Sequence, residues 1–150
     1  MSVRKRLCAP VRTVKSTSSI ANDKQILIEL DSHADTCVVG SSTLVVHDHE
    51  RLVDIYGFDH SQSHKDARTV DVAVAYDDPR SGLTSILMIN QAILVDSLQN
   101  VLLCPMQCHV HGTDIDECPK FLSKIPTDQS HSLTVFDPKD RSPPLLIPFS

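Results

Sequence analysis

An all-β fold, a small and mostly antiparallel domain of closed or partly closed sheet with one short helix, is what this sequence predicts, on three observations. Apolar side chains recur with a period of two over Ile26–Leu30 and again over Val70–Tyr76, the spacing of strands that bury one face. The second of these runs leads through Asp77-Asp78-Pro79-Arg80-Ser81-Gly82 into another apolar run, Ile86–Val95, and those turn residues suit the dihedrals of a hairpin. Pro119, Pro126, Pro138, Pro143, Pro144 and Pro148 argue against long regular elements beyond Val110.

The elements follow in chain order. Residues 1–24 read as a basic, flexible arm: they hold Arg4, Lys5, Arg6, Arg12, Lys15 and Lys24 against Asp23 alone, a composition that an organelle-targeting segment would share. The domain proper is expected over 25–112. Its first strand, Ile26–Leu30, ends at Asp31, and Cys37-Val38-Val39 is a second apolar run. Thr43–Val46 reads as a short strand, His47-Asp48-His49-Glu50 as a polar break, and the run from Leu52 as a second strand ending at Gly57. Residues 60–68 are polar and read as a loop. After the hairpin comes Val101-Leu102-Leu103, a buried strand stopped by Pro105, with a short helix over Pro105–His109 because proline suits a first helical position. Residues 113–150 read as a proline-rich, mostly extended tail.

The 150 residues suffice for one domain with a modest core but not for a two-lobed enzyme. With 4% aromatic residues and no Trp, that core must be aliphatic, and self-association would supplement it. The formal net charge of -5 conceals a more acidic remainder behind the basic arm, so the folded part has no charge-based reason to bind nucleic acid. Cys8, Cys37, Cys104, Cys108 and Cys118 are odd in number and follow no signal-peptide core, which suits reduced thiols and an intracellular setting. No run approaches the roughly 20 apolar residues of a membrane span.

Chemistry points to Asp31-Ser32-His33-Ala34-Asp35-Thr36, where a carboxylate stands at the mouth of a strand between two apolar runs. An aspartate there can work as an acid and base if a second carboxylate lies close enough that the two share one proton and polarise a water between them. One such loop per chain means that the second carboxylate must come from another copy across a two-fold axis.

Leu30-Asp31-Ser32-His33-Ala34-Asp35-Thr36 resembles the Asp-Ser/Thr-Gly-Ala/Ser signature of retropepsin-like aspartic proteases, found in retroviral and copia-type retrotransposon polyproteins. Downstream, Ile93-Leu94-Val95-Asp96-Ser97-Leu98-Gln99-Asn100-Val101-Leu102-Leu103 resembles the closing segment of the copia-type domain. Together the matches span about residues 26–110, and their spacing is more specific than either alone. The resemblance implies a retropepsin-type β-barrel and a homodimeric endopeptidase needing no cofactor and no metal. Its substrate would be a polypeptide, in a retrotransposon particle within the cell.

Residue by residue, the resemblance implies that Asp31 is catalytic, that the Ser32 hydroxyl steadies the paired loops, that Ala34 floors the cleft and that Asp35 holds substrate main chain. Val101–Leu103 would pack beneath the loop. A lid would fall within Val53–Asp59 with Gly57 at its tip, the Asp77–Gly82 turn being the rival. His33 departs from the pattern, which has glycine there; an imidazole could strain the loop, crowd the axis or add a titratable group.

Three other readings attach to these residues. The fold could persist without catalysis, as a dimerisation or peptide-binding module in which His33 has replaced the turn geometry. Cys104, Cys108, His109, His111 and Cys118 could form a zinc site, although their spacing is loose and also fits core thiols with surface imidazoles. His33 with Asp31 and Asp35 offers ligand types of a metal hydrolase, but ligands from a single six-residue turn rarely converge. His47 and His49 read as part of a solvated turn, and Cys37, opening an apolar run, reads as buried and inert. No Gly-x-Ser-x-Gly or phosphate-cradling loop occurs.

Overall fold

The alternation of Val70, Val72 and Val74 sets the centre of the molecule, because these side chains are driven to one face of a strand and fix its register. In the computed structural model, which describes residues 8–11, 26–57, 63–137 and 143–149, ten strands and one helix are formed among the described residues. They are β1 (Cys8–Val11), β2 (Ile28–Leu30), β3 (Val38–Val39), β4 (Leu44–Tyr56), β5 (Ser63–Asp77), β6 (Thr84–Leu94), β7 (Val101–Leu103), α1 (Pro105–Val110), β8 (Thr113–Asp116), β9 (Ser132–Val135) and β10 (Leu145–Pro148). The protein is all-β with one short helix.

Seven strands make one sheet in the order β2-β7-β3-β6-β5-β4, with β1 pairing to β6 beside that path. The β5–β6 hairpin is antiparallel from Asp77↔Thr84 to Arg68↔Leu94. Its turn is held by Asp78, whose backbone pairs with Leu83 and Gly82 and whose carboxylate accepts the Arg80 amide at 3.0 Å and the Ser81 hydroxyl at 2.9 Å. Along β6 the buried set is Ser85, Leu87 and Ile89, then Ala92 and Leu94: the alternation changes phase where the register slips between Val70 and Val72. Gln91, at φ 54, forms this bulge, and the extra residue lets both halves of β6 face the same core.

β4 is one strand where the sequence suggested two. The polar break is absorbed by a register shift between Asp48 and Leu52, with Glu50 at φ 54, so pairing with β5 resumes beyond it. β5 likewise begins at Ser63, inside the stretch expected to be a loop; the exposed residues Ser63–Asp66 carry no apolar alternation that would have marked them. The strand expected to end at Gly57 ends at Tyr56, and Phe58 and Asp59 lie outside the described residues.

The sheet does not close among the described residues: β2 and β4 are its two edges and do not pair, so no closed barrel forms there. Two pairings are parallel, β2 with β7 and β3 with β6. Most of the basic 1–24 arm lies outside the described residues, but Cys8–Val11 within it pairs antiparallel with β6.

Three short strands stand where the prolines led us to expect an extended tail. β8, β9 and β10 form an antiparallel sheet in the order β10-β9-β8. Leu133 and Val135 of β9 join Leu87, Ile89, Val101 and Leu103 in one hydrophobic core. Full burial of side chains of this size stabilises by about 1.5–3 kcal/mol each, which is why four-residue strands persist beside so many prolines. α1 follows β7 at once: Pro105 sits at its start, where its missing N–H costs nothing, and the Cys104 side chain accepts the Gln107 amide. No helix among the described residues is long and apolar enough to cross a membrane.

Candidate active site

The stretch around Asp31 is built by a strand inserted between the two that flank it. β7 pairs in parallel with β2 (Ile28↔Val101, Leu30↔Leu103) on one side and antiparallel with β3 (Val38↔Leu102) on the other. The Asp31 amide donates to the Leu103 carbonyl at 2.9 Å, so the ladder continues up to the acidic residue itself. The chain then turns, with the Ala34 amide on the Asp31 carbonyl at 3.2 Å, and re-enters the sheet where the Ile93 amide donates to the Cys37 carbonyl at 2.9 Å. The two segments singled out in the sequence, 30–36 and 93–103, thus form one continuous piece of sheet around a six-residue loop.

Within the loop, the His33 main-chain amide donates to Asp31 Oδ1 at 3.0 Å. The glycine-to-histidine departure therefore leaves the amide-to-carboxylate contact in place. Nor is His33 among the described non-glycine residues with positive φ, which are Glu50, Asp66, Gln91 and His131, so no left-handed strain arises there. Its ring lies at the surface, with Nδ1 3.4 Å from Ser32 Oγ. Asp31 is half-buried; Ser32, His33 and Asp35 are exposed; Ala34 is half-buried and packs on the core. The carboxylate is thus rooted in the sheet while its loop faces outward.

No known family model, curated protein or solved structure matches this chain.

Gly57 belongs to a different element. It follows β4 at the outer end of the β4–β5 pair and is exposed; of the expected lid, Val53–Tyr56 form the end of β4, while Phe58 and Asp59 lie outside the described residues. The rival turn, Asp77–Gly82, lies at the opposite end of β5, where Arg80 donates to the Leu146 carbonyl at 2.6 Å and so faces the second sheet. Beside the loop, a groove of about 500 Å³ opens between β2 and β10, lined by Leu30, Ser32, Glu117, His131, Ile147 and Phe149 among others.

Sequence reasoning missed Gly40. A Cβ there would lie 1.9 Å from the Leu98 carbonyl oxygen, because the chain leaving β3 passes against the turn that joins β6 to β7. Ser42 Oγ donates to the Gln99 carbonyl at 2.8 Å, fastening the same two segments, while Thr43 Oγ1 donates to the Gly40 carbonyl at 2.8 Å within the turn itself. A glycine directly after an apolar strand pair was the only signal available. Asp71 was missed as well: where β5 meets a bulge on each neighbour, its Oδ1 lies 2.7 Å from His49 Nε2 and accepts the Gln91 amide at 2.7 Å. His49 is thereby tied into the sheet rather than placed in a solvated turn.

The cysteine and histidine set of 104–118 does not assemble. Cys104 and Cys108 are buried, while His109 and Cys118 are exposed on separate segments. Among the described residues no three His, Cys, Asp or Glu side chains are placed to hold a metal ion, and this includes His33 with Asp31 and Asp35. Cys37 is buried, and the hydrogen bond to the Cys108 thiol, followed by burial, pushes its own thiol far above the usual range. A protonated, enclosed sulfur is not a nucleophile at neutral pH.

Proposed function

We propose that this chain is one half of a homodimeric aspartic endopeptidase of the retropepsin kind, with Asp31 of each copy sharing a proton and activating a water between them. The observation that carries the reading is the Asp31 loop, rooted on β7 between β2 and β3, with a main-chain amide on one carboxylate oxygen and its outer residues open to a second copy. The two-fold axis passes beside Ser32 and Ala34, and Asp35 is positioned to meet substrate main chain. An extended polypeptide binds strand-like between the paired loops and the β4–β5 arms, with Gly57 near the end of each arm. The attacking water gives its proton to the shared pair, the peptide carbonyl becomes tetrahedral, and the pair returns a proton to the leaving amine. The natural substrate in this reading is a retrotransposon polyprotein, cleaved inside the cell.

The test is hydrolysis of a mixed peptide library by the full chain at mildly acidic pH, read by mass spectrometry. Wild type is expected to cleave and Asp31→Asn to lose at least about 1,000-fold in rate, as loss of a group required for proton transfer does. Cleavage that survives the substitution removes Asp31 from the mechanism. The exposed His33 ring beside Ser32 favours one second reading, a peptide-binding module without catalysis, in which wild type binds peptides from the library and leaves them whole.

A further inference from the structure

β2 is an edge of the seven-stranded sheet, and no strand pairs with its outer side among the described residues. The Val101 amide donates to the Leu27 carbonyl and the Asp31 amide to the Leu103 carbonyl, each at 2.9 Å, so the odd-numbered residues of this stretch direct their backbone groups to β7. Those of Ile28 and Leu30 point the other way, towards the groove of about 500 Å³ between β2 and β10. β10 does not present a matching edge. The Phe149 amide donates to the His131 carbonyl, which turns the groups of Leu146 and Pro148 away from β9; Arg80 takes the Leu146 carbonyl at 2.6 Å, and Pro148 has no N–H to give. β10 instead lines the groove with the half-buried side chains of Ile147 and Phe149. Ile28 and Leu30 pack on the core, and Glu29 between them is exposed. Glu29 and Glu117 are the acidic residues of the lining, which holds no Lys or Arg.

We propose that this groove docks an extended peptide from another chain, which adds a strand to the β2 edge and carries the alternation apolar, Lys or Arg, apolar. The open N–H and C=O groups of Ile28 and Leu30 are a template for that strand. Because side chains alternate between faces, the apolar residues of the peptide share the face of Ile28 and Leu30 and pack against Ile147 and Phe149. The cation between them falls beside Glu29 on the opposite face, as a cross-strand pair of opposite charge. An acidic peptide meets like charge from Glu29 and Glu117 instead. β2 and β10 offer three and four residues, so the docked core is a short segment, and the groove has the volume of a ligand cleft. Main-chain hydrogen bonds supply the affinity and the alternating side chains the selectivity. Nothing in this docking uses the Asp31 carboxylate, and it holds whether or not the chain is a peptidase.

The experiment measures fluorescence anisotropy at pH 7 for a labelled octapeptide of alternating valine and lysine, added to the full chain and to its Asp31→Asn variant. Both chains are expected to bind it alike, and a valine–glutamate peptide of the same length is expected to bind about fivefold or more weakly. Glu29→Lys is expected to reverse the preference between the two peptides, which a loss of folding would not do. In the wild-type complex, amide NMR shifts are expected to move at Ile28–Leu30 and Ile147–Phe149. The wild-type comparison and the shift map stand even if the variant does not fold. Equal affinity for the two peptides, binding lost in Asp31→Asn, a preference unchanged in folded Glu29→Lys, shifts that leave β2 and β10 untouched, or no binding at about 1 mM peptide would each overturn the proposal.

Discussion

Gly40 is where the candidate site is least tolerant of change, because the obstacle is backbone on both sides. A methyl group placed there meets the Leu98 carbonyl, which cannot rotate away as a side chain would. Gly40→Ala is therefore expected to destabilise by about 3 kcal/mol or more, at the upper end of overpacking costs, and a lowered urea midpoint measures it. His33 shows the opposite case. Its place in the pattern suggested a need for glycine, yet the requirement is for the amide on Asp31 Oδ1, which histidine supplies with negative φ.

At the scale of elements, the turn between β5 and β6 carries the clearest pH dependence. The Arg80 amide first, then Ser81 and the Arg80 guanidinium, hold the Asp78 carboxyl below the usual carboxylate range. A carboxyl with a depressed folded-state pKa adds stability above its unfolded value of about 3.9, and that share is lost as pH falls through the folded value. Asp78→Asn is expected to be less stable than wild type near pH 7, with the gap closing below about pH 4; urea midpoints across that range test it. This hairpin was legible in the sequence because valine alternation, the Asp-Pro-Gly turn and the second apolar run all agree. The helix was legible from Pro105. The full lengths of β4 and β5 were not, because Glu50 in a bulge hides the continuity of one strand, and Ser63–Asp66 form strand by pairing without burying a face. β8–β10 were hidden for another reason: each has four residues, and β9 owes its place to Leu133 and Val135 fitting a core made elsewhere in the chain. For the loop, sequence identified the residues but not the amide geometry.

For the whole molecule, that shared core predicts that 113–150 cannot be removed as a tail. A chain ending at residue 112 uncovers the side of the core that Leu133 and Val135 cover, and is expected to lose cooperative unfolding, judged by circular dichroism during a urea titration. The open sheet has a further effect on the candidate site. Leu103 moors Asp31 across a separation of 72 residues, so the acidic loop is among the last places where distant parts of the chain must meet. During synthesis, a nascent polypeptide halted before β7 holds the aspartate without its anchorage. The ribosome must complete that stretch before the carboxylate has a fixed place in the sheet.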